Sequence, residues 1–226
     1  MLNHQKQINR YSTRDYVYET IRKKIIMLEL SPGRSISEKE ISEMLEVSRT
    51  PVREGFMKLA QEELLEVYPQ KGTFVSLIDL NHMEEARFIR EHLEKAAVKV
   101  ASQNFENHNL KELESNFILQ KEAVKNKDYT KLYELDESFH KTIIMGAGKE
   151  RIWAIIQQMN AHLNRIRMLS LTMNHDWDLI LSHHEKIIDA IRKQEAEIAH
   201  QVMENHLRKL TFEQGKLKQE FPDYFN

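Results

Sequence analysis

The sequence predicts a mainly α protein: an amino-terminal winged helix-turn-helix followed by a carboxy-terminal all-α helical bundle. Three observations predict it. Helix-breaking residues are scarce, 6 Gly and 4 Pro among 226 residues, so most of the chain can run as helix. Three of the four prolines fall between residues 31 and 72, where short capped segments end in two alternating apolar runs. Beyond Leu80 the apolar residues recur at helical spacing over long stretches. The boundary falls near residues 76–80, giving domains of residues 1–78 and 79–226.

The first part parses in order. Val17, Ile21, Ile25 and Leu28 make one face of a helix over 16–28. Ser31, Pro32 and Gly33 end it as a turn. Ser37 and Glu40 form an S-x-x-E capping box, and Ile41, Met44 and Leu45 supply the stripe of a second helix. Ser48 or Thr50 can cap a third helix with Pro51 in its first turn, where a missing N–H costs little. Val52, Phe56, Leu59 and Ala60 would be its buried face. Leu65 to Tyr68 and Thr73 to Val75 then alternate like strands about a turn over 69–72.

Composition narrows the function. With no cysteine, disulfides, Cys-ligated zinc, iron–sulfur clusters and a thiol nucleophile are excluded. Apolar runs are a few residues long, far short of the ~20 that span a bilayer. Residues 1–10 lack the apolar core of a signal peptide, so the expectation is a cytoplasmic chain without membrane association. Net charge is −2, which does not announce a polyanion partner. The slight basic excess lies in the first part, with the sign that an anionic partner there would require.

The third helix carries that expectation further. In a helix-turn-helix the second helix of the pair enters the major groove with its first residues on base edges. Arg49 and Arg53 lie four apart on one face, away from Val52, Phe56 and Leu59. Each guanidinium fork can read a guanine edge bidentately. Ser48 and Thr50 offer donors to phosphate. Lys39, one helix earlier, is placed for phosphate, and Lys71 and Gly72 at the wing tip for the minor groove or backbone. Singly, each has a plain reading as a solvated face or hairpin turn. The ordered ensemble carries the weight.

That ensemble resembles a known family. Gly33-Arg34-Ser35-Ile36-Ser37-Glu38, the run from Ile41 through Ser48-Arg49-Thr50-Pro51-Val52-Arg53-Glu54, then Leu64-Leu65-Glu66-Val67 and Gly72-Thr73-Phe74-Val75, are similar to the DNA-binding domain of GntR-family bacterial transcription regulators, over roughly 14–76. The resemblance implies operator contacts from Lys39, Arg49, Thr50, Arg53 and Gly72. Two departures stand out. Gly55 replaces the usual alanine, at ~1 kcal/mol of helix propensity. Glu63 replaces the usual glycine before the first wing strand, which bears on how the third helix is capped.

In the second part helices are expected over about 80–102, 110–125, 129–145, 149–172, 179–193 and 195–219, with breaks at Gly146-Ala147-Gly148 and Asn174-His175-Asp176. Of the 11 histidines, His4, His82, His108, His162, His175 and His200 are expected mostly at the surface. Asp136 and His140 sit four apart beside the apolar Leu135, Phe139 and Ile143. His184 leads the stripe of Ile187, Ile188 and Ile191. His206 is in register with Ala199, Val202, Met203 and Leu210. Three imidazoles and a carboxylate converging between helices suit a divalent metal (Zn, Ni or Mn, with Zn foremost). The plain alternatives are a helix-surface Asp–His pair and core histidines. His183 is the alternative to His184, which is preferred because the isoleucine spacing starts from it.

Here too the pattern resembles a family branch, the FadR branch of GntR regulators with its FCD-type ligand-binding domain. The matching pieces are Arg90-Glu91-His92-Leu93-Glu94, Asp136-Glu137-Ser138-Phe139-His140, His184 to Ile191, and Met203-Glu204-Asn205-His206-Leu207. The resemblance implies metal ligation by Asp136, His140, His184 and His206, and an effector carboxylate on the arginine matching Arg90. A salt bridge from Arg90 to Glu94 is the alternative, and Arg165 and Arg167 are further candidates. The usual Gly-Asp between the last two helices is Gln194-Glu195 here.

The function so implied is a metabolite-responsive regulator, a repressor by family habit. It would act as a homodimer on an inverted-repeat operator in double-stranded DNA, with a small carboxylic acid as effector. The alternative is a metal-dependent hydrolase with a DNA-binding appendage. Against it, His184-Glu185 is followed by Ile188, so the H-E-x-x-H signature fails, and no Gly-rich phosphate loop or G-x-S-x-G elbow is present.

Overall fold

A computed structural model describes residues 12–173, 177–209 and 214–226. His4, His175, Leu210 and the expected break at Asn174-His175-Asp176 lie outside the described residues. The chain divides into two compact units: residues through Leu80 together with Phe221–Asn226, and Asn81–Glu220.

The first unit holds α1 (Thr13–Ile26), β1 (Ser35–Ile36), α2 (Glu38–Leu45), α3 (Arg49–Gln61), β2 (Leu65–Tyr68) and β3 (Gly72–Val75). The Ser12 hydroxyl caps α1 by accepting from the Asp15 N–H. The Ser37 hydroxyl caps α2 by accepting from the Glu40 N–H at 3.1 Å, so the serine half of the capping box forms. Glu40 turns its carboxylate to Arg34, 2.9 Å away. Ser48 is the N-cap residue of α3, but its hydroxyl makes no cap bond.

The sheet is antiparallel in the order β1-β3-β2, with Leu65 opposite Val75 and Ser35 opposite Phe74. The short β1 was not expected; a two-residue strand leaves no alternation to read. Val17, Ile21, Ile25, Ile41, Val52, Leu59 and Leu64 are fully buried between helices and sheet.

Gly55 faces α1. A Cβ there would meet Val17 Cγ1 at 3.2 Å and the Tyr18 backbone nitrogen at 3.5 Å. The absent methyl permits close helix packing, which offsets the lost propensity. Tyr18 donates to Glu62 at the end of α3, and Arg22 adds a 3.0 Å bond to the same carboxylate.

Glu63, where a glycine was expected, adopts φ +56. The Leu64 N–H bonds the Leu59 carbonyl at 2.9 Å across it. The left-handed helix stop is therefore kept without the residue that adopts it freely.

The segment 221–226 does not stay with the helical part to which the sequence assigned it. Ile78 and Phe225 form a parallel bridge, with the Ile78 N–H donating to the Tyr224 carbonyl at 2.8 Å and the Asn226 N–H to the Ile78 carbonyl. Phe225 is buried, and no alternation over six residues could have announced it.

The second unit contains α4 (Leu80–Ala101), α5 (Asn107–Lys125), α6 (Tyr129–Gly146), α7 (Glu150–Met159), α8 (Ala161–Met173), α9 (Trp177–Arg192), α10 (Ala196–Arg208) and α11 (Gln214–Glu220). Two expected long helices are each divided. The span 149–172 breaks at Asn160, a poor helix former that is wholly buried. The span 195–219 appears as α10 and α11. Nearly every residue of α8 is buried, so it runs through the middle of the unit. Val98, Leu113, Phe117, Phe139, Ile143, Ile187, Ile191, Ala199 and Met203 form the main core, drawn from α4, α5, α6, α9 and α10.

His162 is buried as well, its ring 4.9 Å from that of His82 and its Nδ1 bonded to Arg165, so the expectation of a surface histidine fails there. The turn at Gln194 keeps φ +59 with the Glu195 N–H on the Ala190 carbonyl, the same stop as at Glu63. Among the described residues no helix is long and apolar enough to cross a membrane.

Phe225→Ala is expected to destabilise the first unit by up to ~3 kcal/mol, the lower end for a buried phenylalanine, since the segment can undock rather than leave a cavity. Denaturant unfolding of the intact chain measures it.

Candidate functional site

The first unit exposes one cationic edge. Arg49, Arg53, Ser48 and Thr50 are exposed at the start of α3, while Val52, Phe56 and Leu59 on its other side are buried. Arg53 grips Glu38 bidentately, 2.9 Å from Nε and 3.0 Å from Nη2. That bond foremost raises the guanidinium pKa. An exposed pair of this kind is weak and screened by solvent, so a phosphate or guanine can replace the carboxylate cheaply. Lys39 is exposed on α2, 3.9 Å from Glu43. Lys71 and Gly72 are exposed at the hairpin, and Gly72 takes φ +113, which L side chains rarely adopt.

The second unit brings Asp136, His140, His184 and His206 together from α6, α9 and α10. One ligand atom from each lies within 4.8 Å of every other. His140 Nε2 is 3.1 Å from His206 Nε2 and 3.8 Å from Asp136 Oδ2; His184 Nε2 is 3.4 Å from Asp136 Oδ1. His183, half-exposed, is not in the group.

Two residues that sequence reasoning did not place at the site orient the imidazoles. Glu94, fully buried on α4, bonds His140 Nδ1 and so turns its Nε2 lone pair inward. Gln120 on α5 accepts from His184 Nδ1 at 2.7 Å. Its amide is fixed in turn, since its Nε2 donates to Asn116, whose Nδ2 donates to the Leu135 carbonyl. The ring of Phe139 stacks on His184 at 4.0 Å.

Charge balance tests whether this group fits a cation. Glu94, Asp136 and Glu137 face two guanidiniums, Arg90 and Arg167. These paired groups are by themselves one positive charge short, and Lys209 is a further cation on the wall of the adjoining cavity. A proton between the facing Nε2 atoms of His140 and His206 could supply the missing charge. A cation amid all four donors also satisfies His184 Nε2, which is buried without a hydrogen-bond partner. The donor set, three imidazoles and a carboxylate, fits a divalent metal.

The electrostatics follow. Burial pushes the Glu94 carboxyl up, but Arg90 and then His140 outweigh it and hold it down at about 2. Burial opposes Asp136 in the same way, and Arg167 foremost holds it well below the carboxylate range. Burial pushes His184 down to about 3 and His206 well below the usual value, so both stay neutral, as metal ligands must.

A cavity of about 60 Å³ opens beside this group, lined by Asp136 and His206 and by Arg87, Arg90 and Arg167. Arg90 is buried; its Nε bonds Glu94 and its Nη1 lies 3.8 Å from Glu137, but its Nη2 has no partner. The salt bridge to Glu94 therefore forms, and it leaves one donor over. Arg167 bonds Asp136 and Glu137, while Arg165 is wholly buried and bonds His162 instead of lining the cavity.

A winged helix with exposed arginines at the start of its third helix, carried with an all-helical unit that gathers one carboxylate and three imidazoles beside a cavity, is the plan of a bacterial transcription regulator. Comparison with known proteins makes the class specific. The family model described as bacterial regulatory proteins, gntR family, matches residues 13–75, and that of the FCD domain matches 85–209. The chain belongs to the gntR family of bacterial transcription regulators and carries an FCD domain.

It is 32% identical over 219 residues to an uncharacterized HTH-type transcriptional regulator in an unstable DNA locus of Streptomyces ambofaciens, covering 97% of this chain and 92% of the relative. It is 30% identical over 210 residues to the HTH-type transcriptional repressor RspR of Escherichia coli K12, covering 93% and 92%. Escherichia coli McbR/YncC has the same fold, with a TM-score of 0.81 at 20% identity over 93% of this chain and 99% of that one. These families and relatives are transcription regulators, not enzymes, and the hydrolase alternative has no support among them.

The metal-free protein is expected to lose stability as pH falls from about 6.5 toward about 3. His184 is protonated in the unfolded chain below ~6.5 but stays neutral when folded until about 3, so the unfolded state binds the extra proton in that window. Unfolding midpoints across the range measure the slope, and His184→Asn is expected to flatten it.

Proposed function

We propose that this chain is a metabolite-responsive repressor that binds an inverted-repeat operator as a homodimer in the cytoplasm. The DNA-reading part is the winged unit, within residues 1–78, and the sensing and dimerising part lies in the helical unit from residue 79 onward. The repressor sign is supported by the likeness to RspR, an HTH-type transcriptional repressor at 30% identity.

Arg49 and Arg53 read base edges, Ser48, Thr50 and Lys39 hold phosphate, and Lys71 and Gly72 approach the backbone or minor groove. The exposure of both arginines on one face of α3 supports this reading.

In the helical unit, Asp136, His140, His184 and His206 hold a divalent metal, zinc foremost among zinc, nickel and manganese. The observation that carries this is the convergence of four donor atoms from three helices, with His184 Nε2 buried and without a hydrogen-bond partner. When bound, the metal supplies a Lewis-acidic anchor for an oxygen ligand. Glu94 and Gln120 keep two imidazoles turned toward it. Arg90 receives the carboxylate of a small acid through its unpaired Nη2. The acid changes operator affinity to the extent that it binds the DNA-competent and DNA-incompetent forms unequally.

Arg49→Ala and Arg53→Ala are each expected to weaken specific operator binding by ~1–3 kcal/mol while leaving the oligomeric state unchanged, read by DNA-binding titration and sedimentation. An unchanged operator affinity removes that arginine from the readout. His140→Ala is expected to deplete the purified protein of metal by elemental analysis without abolishing DNA binding. An unchanged metal content overturns the ligand set.

A further inference from the structure

The ring proton of His184 is placed by a chain of amides that starts away from the four donors. A backbone carbonyl can only accept, so the Leu135 carbonyl on α6 decides which end of the Asn116 amide faces it: Asn116 Nδ2 donates there at 3.0 Å. Asn116 Oδ1 is thereby turned to Gln120, one turn along α5, and accepts from Gln120 Nε2 at 2.6 Å. That leaves Gln120 Oε1 as the atom 2.7 Å from His184 Nδ1. Facing an acceptor, Nδ1 carries the proton. Nε2 keeps its lone pair, buried and without a hydrogen-bond partner, 3.4 Å from Asp136 Oδ1.

The chain is sealed from solvent. Asn116 is 8% exposed, and Gln120 and His184 are wholly buried. Reversing one amide would set donor against donor or oxygen against oxygen, which is costly where water cannot repair it.

His140 is held differently. Its Nδ1 meets the Glu94 carboxylate, whose oxygens both accept, so that partner has no wrong way round. Gln120 does have one. Flipped, it would offer an NH2 to His184 Nδ1, and the proton would move to Nε2, where it blocks the lone pair that a metal needs. Asn116 opposes that flip.

Resting on the metal-binding reading above, we infer that Asn116 is a positioning residue for the metal. Its own hydrogen bonds go to Leu135 and Gln120 rather than to any of the four donors. It sets metal affinity by holding Gln120 one way round and His184 in its Nδ1–H form.

Two substitutions separate this role from packing. Asn116→Leu suits the apolar stripe of Leu113 and Phe117 but releases the Gln120 amide. Asn116→Asp keeps an oxygen for Gln120 Nε2, and its carboxyl, when protonated, can still donate to the Leu135 carbonyl. The intact chain and both variants are titrated with zinc against a chromophoric chelator. The imidazole nitrogen shifts of His184 are recorded by NMR on the metal-free proteins at neutral pH. Asn116→Leu is expected to bind zinc about 10-fold more weakly and to show His184 protonated on Nε2. Asn116→Asp is expected to bind zinc as the parent does, with the proton on Nδ1. Packing alone gives the opposite order, because leucine suits the buried stripe and aspartate does not. That order, an unchanged affinity in Asn116→Leu, or an Nε2 proton in the parent overturns the inference. A parent that shows the Nδ1 proton yet takes up no zinc overturns the metal-binding reading itself, and the affinity role of Asn116 falls with it.

Discussion

The helical unit is organised by a charge that cannot reach water. Glu94 is fully buried on α4, and its two oxygens face two different partners, Arg90 on its own helix and His140 on α6. Remove either partner and a carboxylate is stranded in a low-dielectric interior, which is strongly destabilising. The same arithmetic passes along the cluster: Arg167 answers Asp136 and Glu137, and Asp136 faces the imidazoles. Each group is held where its neighbour's charge requires it. The imidazoles are aimed before any ligand arrives, and the cavity inherits a wall whose donors are already committed.

The winged unit obeys the opposite regime. Its working side chains are exposed, and the pair it makes, Arg53 with Glu38, is weak and screened by salt. Glu38 holds the guanidinium fork extended over the start of α3 rather than burying it.

Much of this was legible in the sequence. Helical periodicity located the long helices, and the isoleucine spacing singled out His184 over His183. The departures from family pattern at Glu63 and Gln194 proved uninformative about shape, because both residues adopt left-handed φ and close the same helix stop. The backbone there is set by the packing on either side, which overrides local preference. Glu94 and Gln120 escaped notice for different reasons. Glu94 sits four residues from Arg90 and was read as that arginine's partner alone; its second oxygen is invisible to spacing. Gln120 did leave a signal: with Asn116 it places an amide in the stripe of Leu113 and Phe117, where an apolar residue would be the default. The division at Asn160 was lost because the apolar pattern runs on through it.

The bridge between Ile78 and Phe225 gives the chain an unusual order of completion. A ribosome makes the reading head first, yet residues 221–226, which cover Ile78, emerge only after the whole of Asn81–Glu220. A nascent chain thus carries its winged unit with Ile78 uncovered until the helical unit has been translated.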